Sequence, residues 1–299
     1  MASFSDEQFD FSNYAQRRHS PTESGLNAIL AYHQATSELC IDLGTGHGAA
    51  ARGLAQYFSS VLGIDPSEGM LKEARAATTF DNVQYHQAKA EDLSFIAPRT
   101  VDLVIACQAA HWFEPDRVWK EMARIVRPGG TVAFWNWGRY FLIGHSHADA
   151  ILRRFSREYL KAYWPQPGKA IWDDRMRPIE CQDLSNWEDL IRLEYEPNLD
   201  ASASGTGGGI PMLTIQTLHE LEGLLRTWSS VHEWCRAHPG SVSLEDGGNG
   251  DIVDVLMQDM VEAEEEWRDF TASGLSWREI KLDVEMRSII LLSRRKEER

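Results

Sequence analysis

The sequence predicts a doubly wound α/β fold, a largely parallel sheet covered by helices on both faces. Three observations predict it. Strand-length apolar runs alternate with helical stretches from about Glu38 to Trp137. The first run ends in a Gly-rich turn, Asp42-Leu43-Gly44-Thr45-Gly46-His47-Gly48. Beyond Gly138 the alternation stops, and Trp, Arg, Glu and Gly become frequent, as in an insertion above a core.

The elements follow in order. Residues 1–34 read as an N-terminal helical cap with Phe4, Phe9, Phe11 and Tyr14 as anchors. Leu39 to Leu43 reads as the first strand, 49–58 as a helix, and Val61 to Asp65 as the second strand. A helix over 67–76, a third strand over Val83 to His86 and a fourth over Val101 to Ala106 come next. A helix at 116–126, the turn Arg127-Pro128-Gly129-Gly130 and a fifth strand from Thr131 to Trp135 complete the series. The predicted organisation is a cap and core over 1–137, an inserted helical lid over 138–250, and a C-terminal helix with a closing strand pair over 251–299. Within the lid the clearest helix covers about 215–236. An acidic helix spans about 251–272, and the closing pair reads as Glu279 to Val284 and Ser288 to Leu292.

Composition narrows the function. A chain of 299 residues with 43% hydrophobic side chains can bury one large core with an insertion, so disorder is not expected. No apolar run reaches the roughly 18 residues of a membrane span. The polar, acidic start of the chain lacks the features of a signal or transit peptide, so a cytoplasmic location is expected. A net charge of −15 argues against nucleic acid as a partner, because phosphate binding needs basic surface. Nothing points to an obligate protein partner. Cys40, Cys107, Cys181 and Cys235 have no metal-ligand spacing and read as reduced and structural, with no metal expected.

The turn after the first strand lets the backbone approach a ligand and aims helix N–H groups at it. Gly44-x-Gly46-x-x-Ala49 alone also fits a dinucleotide fingerprint, so the surrounding residues decide. Asp42 sits where a carboxylate can hold the cationic amino-acid end of S-adenosylmethionine. Asp65, with Pro66 after it, ends the second strand, where an acid can accept from ribose hydroxyls. Ala90-Glu91-Asp92 follows the third strand, and either acid can take the adenine amino group. Met70 can pack on the adenine face. Thr45 and Gln108 complete the expected cofactor set.

Longer words resemble the fungal trans-aconitate methyltransferase family, a branch of class I methyltransferases with a Rossmann-like core. Ala110-His111-Trp112-Phe113 is similar to its A-H-W-F, and Tyr163 to Gly168 to its Y-W-x-Q-P-G. Arg226-Thr227-Trp228-Ser229-Ser230-Val231-His232 is similar to its R-T-W-S-A-Y-H, and Tyr14 to Arg18 to its Y-x-x-x-R, although His19 stands where Pro is frequent. The resemblance implies a lid with a small-molecule acceptor beneath it, and Tyr14 and Arg18 closing the cofactor site. A carboxylate acceptor needs no general base, only groups that fix it in a dry pocket. The expected acceptor residues are His111, Trp112, Trp164, Arg226, Trp228 and Ser229, with His111 as a base only if a hydroxyl is methylated. The plainer readings are core packing for Trp228 and His232, and a surface ion pair for Arg226. The expected activity is methyl ester formation. Its alternatives are O- or N-methylation of a hydrophobic natural product, which the eleven tryptophans would suit, a silent adenosylmethionine-binding protein and, ranked lower, protein methylation.

Overall fold

A computed structural model describes residues 10–297; the expected anchors Phe4 and Phe9 lie outside the described residues. Helices α1 (Phe11–Arg17) and α2 (Glu23–Tyr32) come first. Each is capped by a side-chain oxygen: Asp10 accepts from the Asn13 N–H at 2.9 Å, and Thr22 accepts from the Gly25 N–H at 3.3 Å. Then follow β1 (Leu39–Leu43), α3 (Ala49–Leu54), β2 (Ser60–Asp65), α4 (Glu68–Ala77), β3 (Val83–Gln87), β4 (Val101–Cys107), α5 (Pro115–Ile125) and β5 (Val126–Leu142). The parallel strands lie in the order β3-β2-β1-β4-β5, so the direction of winding reverses between β1 and β4. Open α/β sheets bind ligands at the carboxyl ends of such a reversal.

Continuous apolar runs suit these strands because both faces are covered. Ile41, Leu43 and Val104 join a core with Val118 and Met122 of α5. Cys40, Leu103 and Ile105 join one on the other face with Ile29 of α2 and Leu54 of α3. Asp102, fully buried within β4, is satisfied by the Glu38 and Leu39 N–H groups at 3.0 and 2.8 Å and by Arg127 at 3.1 Å.

The second half departs from expectation. It contains α6 (Ser146–Arg154), α7 (Gly168–Asp173), β6 (Trp187–Tyr195), β7 (Met212–Thr217), α8 (Leu218–Arg226), α9 (Ser229–Ala237), α10 (Ile252–Ala263), α11 (Glu265–Ala272) and β8 (Lys281–Arg295). The closing strand pair is one long strand: no turn residue interrupts Glu285-Met286-Arg287, and Leu282, Val284 and Met286 stay buried in alternation. β8 pairs antiparallel with β5 on one side. On its other side β7 covers residues 281–286 and β6 covers 288–295. The insertion is therefore not purely helical, and eight strands form one sheet among the described residues. β5 begins before the Arg127 to Gly130 turn, which survives only as a register shift, and runs past Gly138 to Leu142.

The expected helix over 215–236 breaks at Trp228, whose extended backbone starts α9; the expected 251–272 helix breaks at Glu264. The lid helices have their own core, in which Leu152, Leu221, Trp228 and Met260 meet Leu142, Leu282 and Val284 from the overrunning ends of β5 and β8. All four cysteines are free thiols, and burial pushes the Cys40 and Cys107 pKa values well up. Among the described residues no helix is long and apolar enough to cross a membrane, and no acid, His or Cys cluster is arranged to hold a metal.

Candidate active site

The turn after β1 is built for close approach. Gly44 has φ +65°, and a Cβ there would stand 2.4 Å from that of Ala109, so the turn lies against the loop after β4. Gly46 has φ +53° with open space before it. Asp42 is buried under the turn. Its Oδ2 accepts from the Thr45 hydroxyl at 2.6 Å and the Ala51 N–H at 3.1 Å, and its Oδ1 has no partner. Burial pushes its pKa up to about 7 against those two hydrogen bonds. Asp65 ties the turn to β2, accepting from the Gly46 N–H at 2.9 Å and the Ser67 N–H at 2.8 Å, and burial raises its pKa as well.

These groups open on a cavity of about 680 Å³, within the range that encloses a drug-sized ligand. Asp42, Gly44, Thr45, Gly46, Asp65, Pro66, Met70, Ala90 and Glu91 line one end, as expected. Asp92 does not: it is fully exposed and turned to the Ser94 N–H at 3.3 Å. Glu91 is the acid that faces the cavity, with Oε1 held by the Glu114 N–H at 2.9 Å. Tyr14 and Arg18 close this end from α1. That helix is seated by Phe11 over Gly69 of α4 and by Arg17 over Gly223 of α8, so it joins core and lid. The Arg18 guanidinium lies 4.8 Å from the Tyr14 ring centre.

The middle of the cavity is aromatic. His111, Trp112 and Phe113 enter on the short turn after β4, and Trp137 and Tyr140 come from β5. Trp164 and Trp228 meet at 5.4 Å, Tyr140 stacks on Trp228 at 5.9 Å, and Ser229 starts α9 at the wall. His111 Nδ1 lies 2.8 Å from Asn136 Nδ2, and burial, with the Arg18 charge, pushes its pKa down to about 3. Gln108 lines the cavity, but its side-chain amide is spent on the Trp137 carbonyl and Asn136.

Arg226 is not there. It binds Glu222, Asp251 and Asp254 at 2.9, 2.6 and 2.8 Å, fastening α8 to the start of α10. It is an ion-pairing residue, as the plainer reading had it, but its three acids are buried and not at the surface; Glu222, four residues earlier, shares its helical face. His232 is likewise outside the lining. The cations at the far end are ones that the sequence did not single out: Arg139 of β5, Arg153 and Arg157 on and just after α6, Lys169 of α7 and Arg287 of β8. Arg287 binds Glu196 at 2.5 Å and Arg139 shares that carboxylate at 3.5 Å. Lys169 binds Asp173 at 2.5 Å. Burial, with Arg287 and Arg153 nearby, pulls the Arg139 guanidinium below its ordinary pKa, although it stays charged.

Sheet order and site together define a Rossmann-like α/β protein with a ligand cavity at the carboxyl ends of its parallel strands. Residues 41–134 match the model of a methyltransferase domain. A Saccharomyces cerevisiae protein assigned as an S-adenosylmethionine-dependent methyltransferase is 27% identical over 254 residues, 82% of this chain and 87% of that one. A Dictyostelium discoideum protein assigned as a methyltransferase is 24% identical over 86% of both chains. A solved structure from Anaeromyxobacter dehalogenans, assigned as a type II methyltransferase, has the same fold with a TM-score of 0.67 at 23% identity, covering 94% of this chain and 99% of that one. The chain is an S-adenosylmethionine-dependent methyltransferase with the class I fold.

The residues fit the cofactor. The partnerless Oδ1 of Asp42 calls for a cation, such as the ammonium of an amino-acid group, and the open space before Gly46 leaves room beside it.

Proposed function

We propose that this enzyme methylates a carboxylate oxygen of a small anionic acceptor, forming a methyl ester. The observation that carries this reading is the far end of the cavity. In a chain of net charge −15, that end gathers Arg139, Arg153, Arg157, Lys169 and Arg287, against which stand the carboxylates of Asp173, on Lys169, and Glu196, shared by Arg139 and Arg287. Burial depresses the Arg139 pKa, and the charges of Arg287 and Arg153 add to it; a bound anion offsets both. The resemblance to the trans-aconitate methyltransferase words points the same way.

Bound S-adenosylmethionine supplies a methyl whose carbon–sulfur bond breaks with its electron pair going to sulfur as an acceptor oxygen lone pair forms the new bond. The chain's own residues do the rest. Asp42, Asp65 and Glu91 hold the cofactor end. The cations take the far carboxylates of a di- or tricarboxylate and leave one carboxylate turned inward. A carboxylate is ionised at neutral pH, its reference pKa being near 4, so no base is required. Trp112, Trp164 and Trp228 exclude water and fix the approach, and orientation of this kind supplies roughly 7–11 kcal/mol in favourable cases.

Methyl-labelled cofactor offered with a panel of acids, phenols and amines tests the reading. The expected product carries label that mild alkali releases, and Arg153→Met with Arg157→Met raises KM for the acid about tenfold, as the loss of a charge-assisted contact does. An alkali-stable product would defeat it and favour an ether or amine on a flat acceptor, which the aromatic walls also suit.

A further inference from the structure

The hydrogen bonds behind His111 run in one direction. The Trp137 carbonyl can only accept, so Gln108 turns Nε2 to it and Oε1 away. That oxygen faces Asn136 Nδ2 at 3.4 Å, and the same nitrogen lies 2.8 Å from His111 Nδ1. The Asn136 oxygen is buried and has no partner as it stands, but turning the amide over would set it 3.4 Å from the Gln108 oxygen and leave that oxygen without a donor. Turning Gln108 over would set an oxygen against the Trp137 carbonyl. An amide nitrogen only donates, so His111 Nδ1 carries the lone pair and the ring proton sits on Nε2.

Rigid backbone holds this chain in place. The Gln108 N–H donates to the Trp135 carbonyl at 2.9 Å, and Asn136 lies within β5, opposite Ile289 of β8. The imidazole stacks against Trp112 with centroids 4.7 Å apart and lines the cavity. Burial keeps the ring neutral, and the charge of Arg18 adds to it.

We propose that Gln108 and Asn136 are positioning residues that set His111 as a neutral Nε2–H donor to the acceptor oxygen. His111 then takes no proton during transfer. A neutral donor occupies one lone pair of a carboxylate oxygen and leaves the others for attack, where a cation at the same place would draw more charge away. The site therefore selects acceptors that arrive already ionised and rejects those that must first lose a proton to His111. The acceptor part of this statement rests on the carboxylate reading; the tautomer does not.

The test is a long-range proton–nitrogen correlation spectrum of the whole protein, histidine-labelled with nitrogen-15, with S-adenosylhomocysteine present. His111→Gln identifies the His111 signals. The expected pattern is Nε2 protonated and Nδ1 bare, unchanged over roughly pH 5–8, where an ordinary histidine titrates. A proton on Nδ1, or an imidazolium, overturns the proposal. Asn136→Asp offers Nδ1 only an acceptor and is expected to move the proton there; an unmoved tautomer overturns the role of Asn136. His111→Gln keeps an N–H donor without a basic nitrogen and is expected to lose no more than about tenfold in turnover, whereas loss of a general base costs roughly 10²–10⁴-fold. A loss of that size overturns the donor role. Alkali lability of the product decides the ester reading separately, so the two can fail independently.

Discussion

The pH dependence of cofactor binding follows from Asp42. Burial has pushed its pKa up to about 7, and Oδ1 lacks a partner. A cationic ligand pairs only with the ionised form, so the apparent Kd carries a factor of one plus the protonated-to-ionised ratio. With a pKa near 7 that factor falls about tenfold between pH 6 and pH 8, a gain of roughly 1.4 kcal/mol. Calorimetric titration of S-adenosylmethionine and S-adenosylhomocysteine across that range measures it. His47, pushed down to about 4, is silent there, but Asp65 is also raised, so Asp42→Asn isolates the contribution. The variant is expected to bind weakly at pH 8 with a much flatter profile.

Stability runs the other way. A carboxyl whose folded pKa lies above its unfolded value stabilises the fold below the unfolded pKa near 4, and that contribution is lost as pH rises through about 7. The ligand-free Tm from this group therefore falls over that window, and the ligand-induced rise in Tm is largest at its alkaline end. A wild-type Kd independent of pH, or the same slope in Asp42→Asn, would refute the assignment of Asp42 to the cationic end.

Other perturbations separate fold from site. Arg226→Met leaves the nearly buried Glu222, Asp251 and Asp254 without their shared cation. Breaking a buried pair costs about 3–5 kcal/mol, which for a chain of this size is on the order of 10 °C in Tm. Thermal melting should show that loss while acceptor KM stays put in the folded variant; a raised KM at unchanged Tm would return Arg226 to the site. Glu91→Gln is expected to weaken cofactor binding severalfold by calorimetry and Asp92→Asn to leave it alone; the reverse order would restore Asp92 to the adenine end. Gly44→Ala puts a Cβ at φ +65° and 2.4 Å from Ala109, so cofactor affinity should drop at least tenfold, and an unchanged Kd would mean that the turn is free to shift.

The cofactor half was readable because parallel strands fix direction as well as place. Once β1, β2 and β3 are located by their apolar runs, their carboxyl ends must meet at one edge, which brings Asp42, Asp65 and the loop holding Glu91 to the cavity. The choice between Glu91 and Asp92 was not readable, since a loop has no period to say which neighbour faces inward. Arg226 misled because its word sits beside Trp228 and Ser229, which do reach the wall; the helix break at Trp228 turns them away from it. β6 and β7 were hidden in a segment read as helical, and β8 was cut in two, because their partners are distant in sequence and pairing leaves no local mark.

The cations escaped notice for a related reason. Opposite strands normally present side chains in a fixed alternation, and Arg287 of β8 stands opposite Gly138 of β5. The register shifts between Gly138 and Tyr140, and Arg139 between them has φ +49°, a backbone state unfavourable for a long side chain. That one unpaired residue re-aims its side chain, so that Arg139 and Arg287 share Glu196 and both reach the cavity. Strain of this kind persists where the surroundings over-determine it, and it gathers at sites of function. On the proposed carboxylate reading, the seam between the overrunning ends of β5 and β8 is where the sheet meets the acceptor. Arg153 and Arg157, a helical turn apart, bring the lid's charge to the same place.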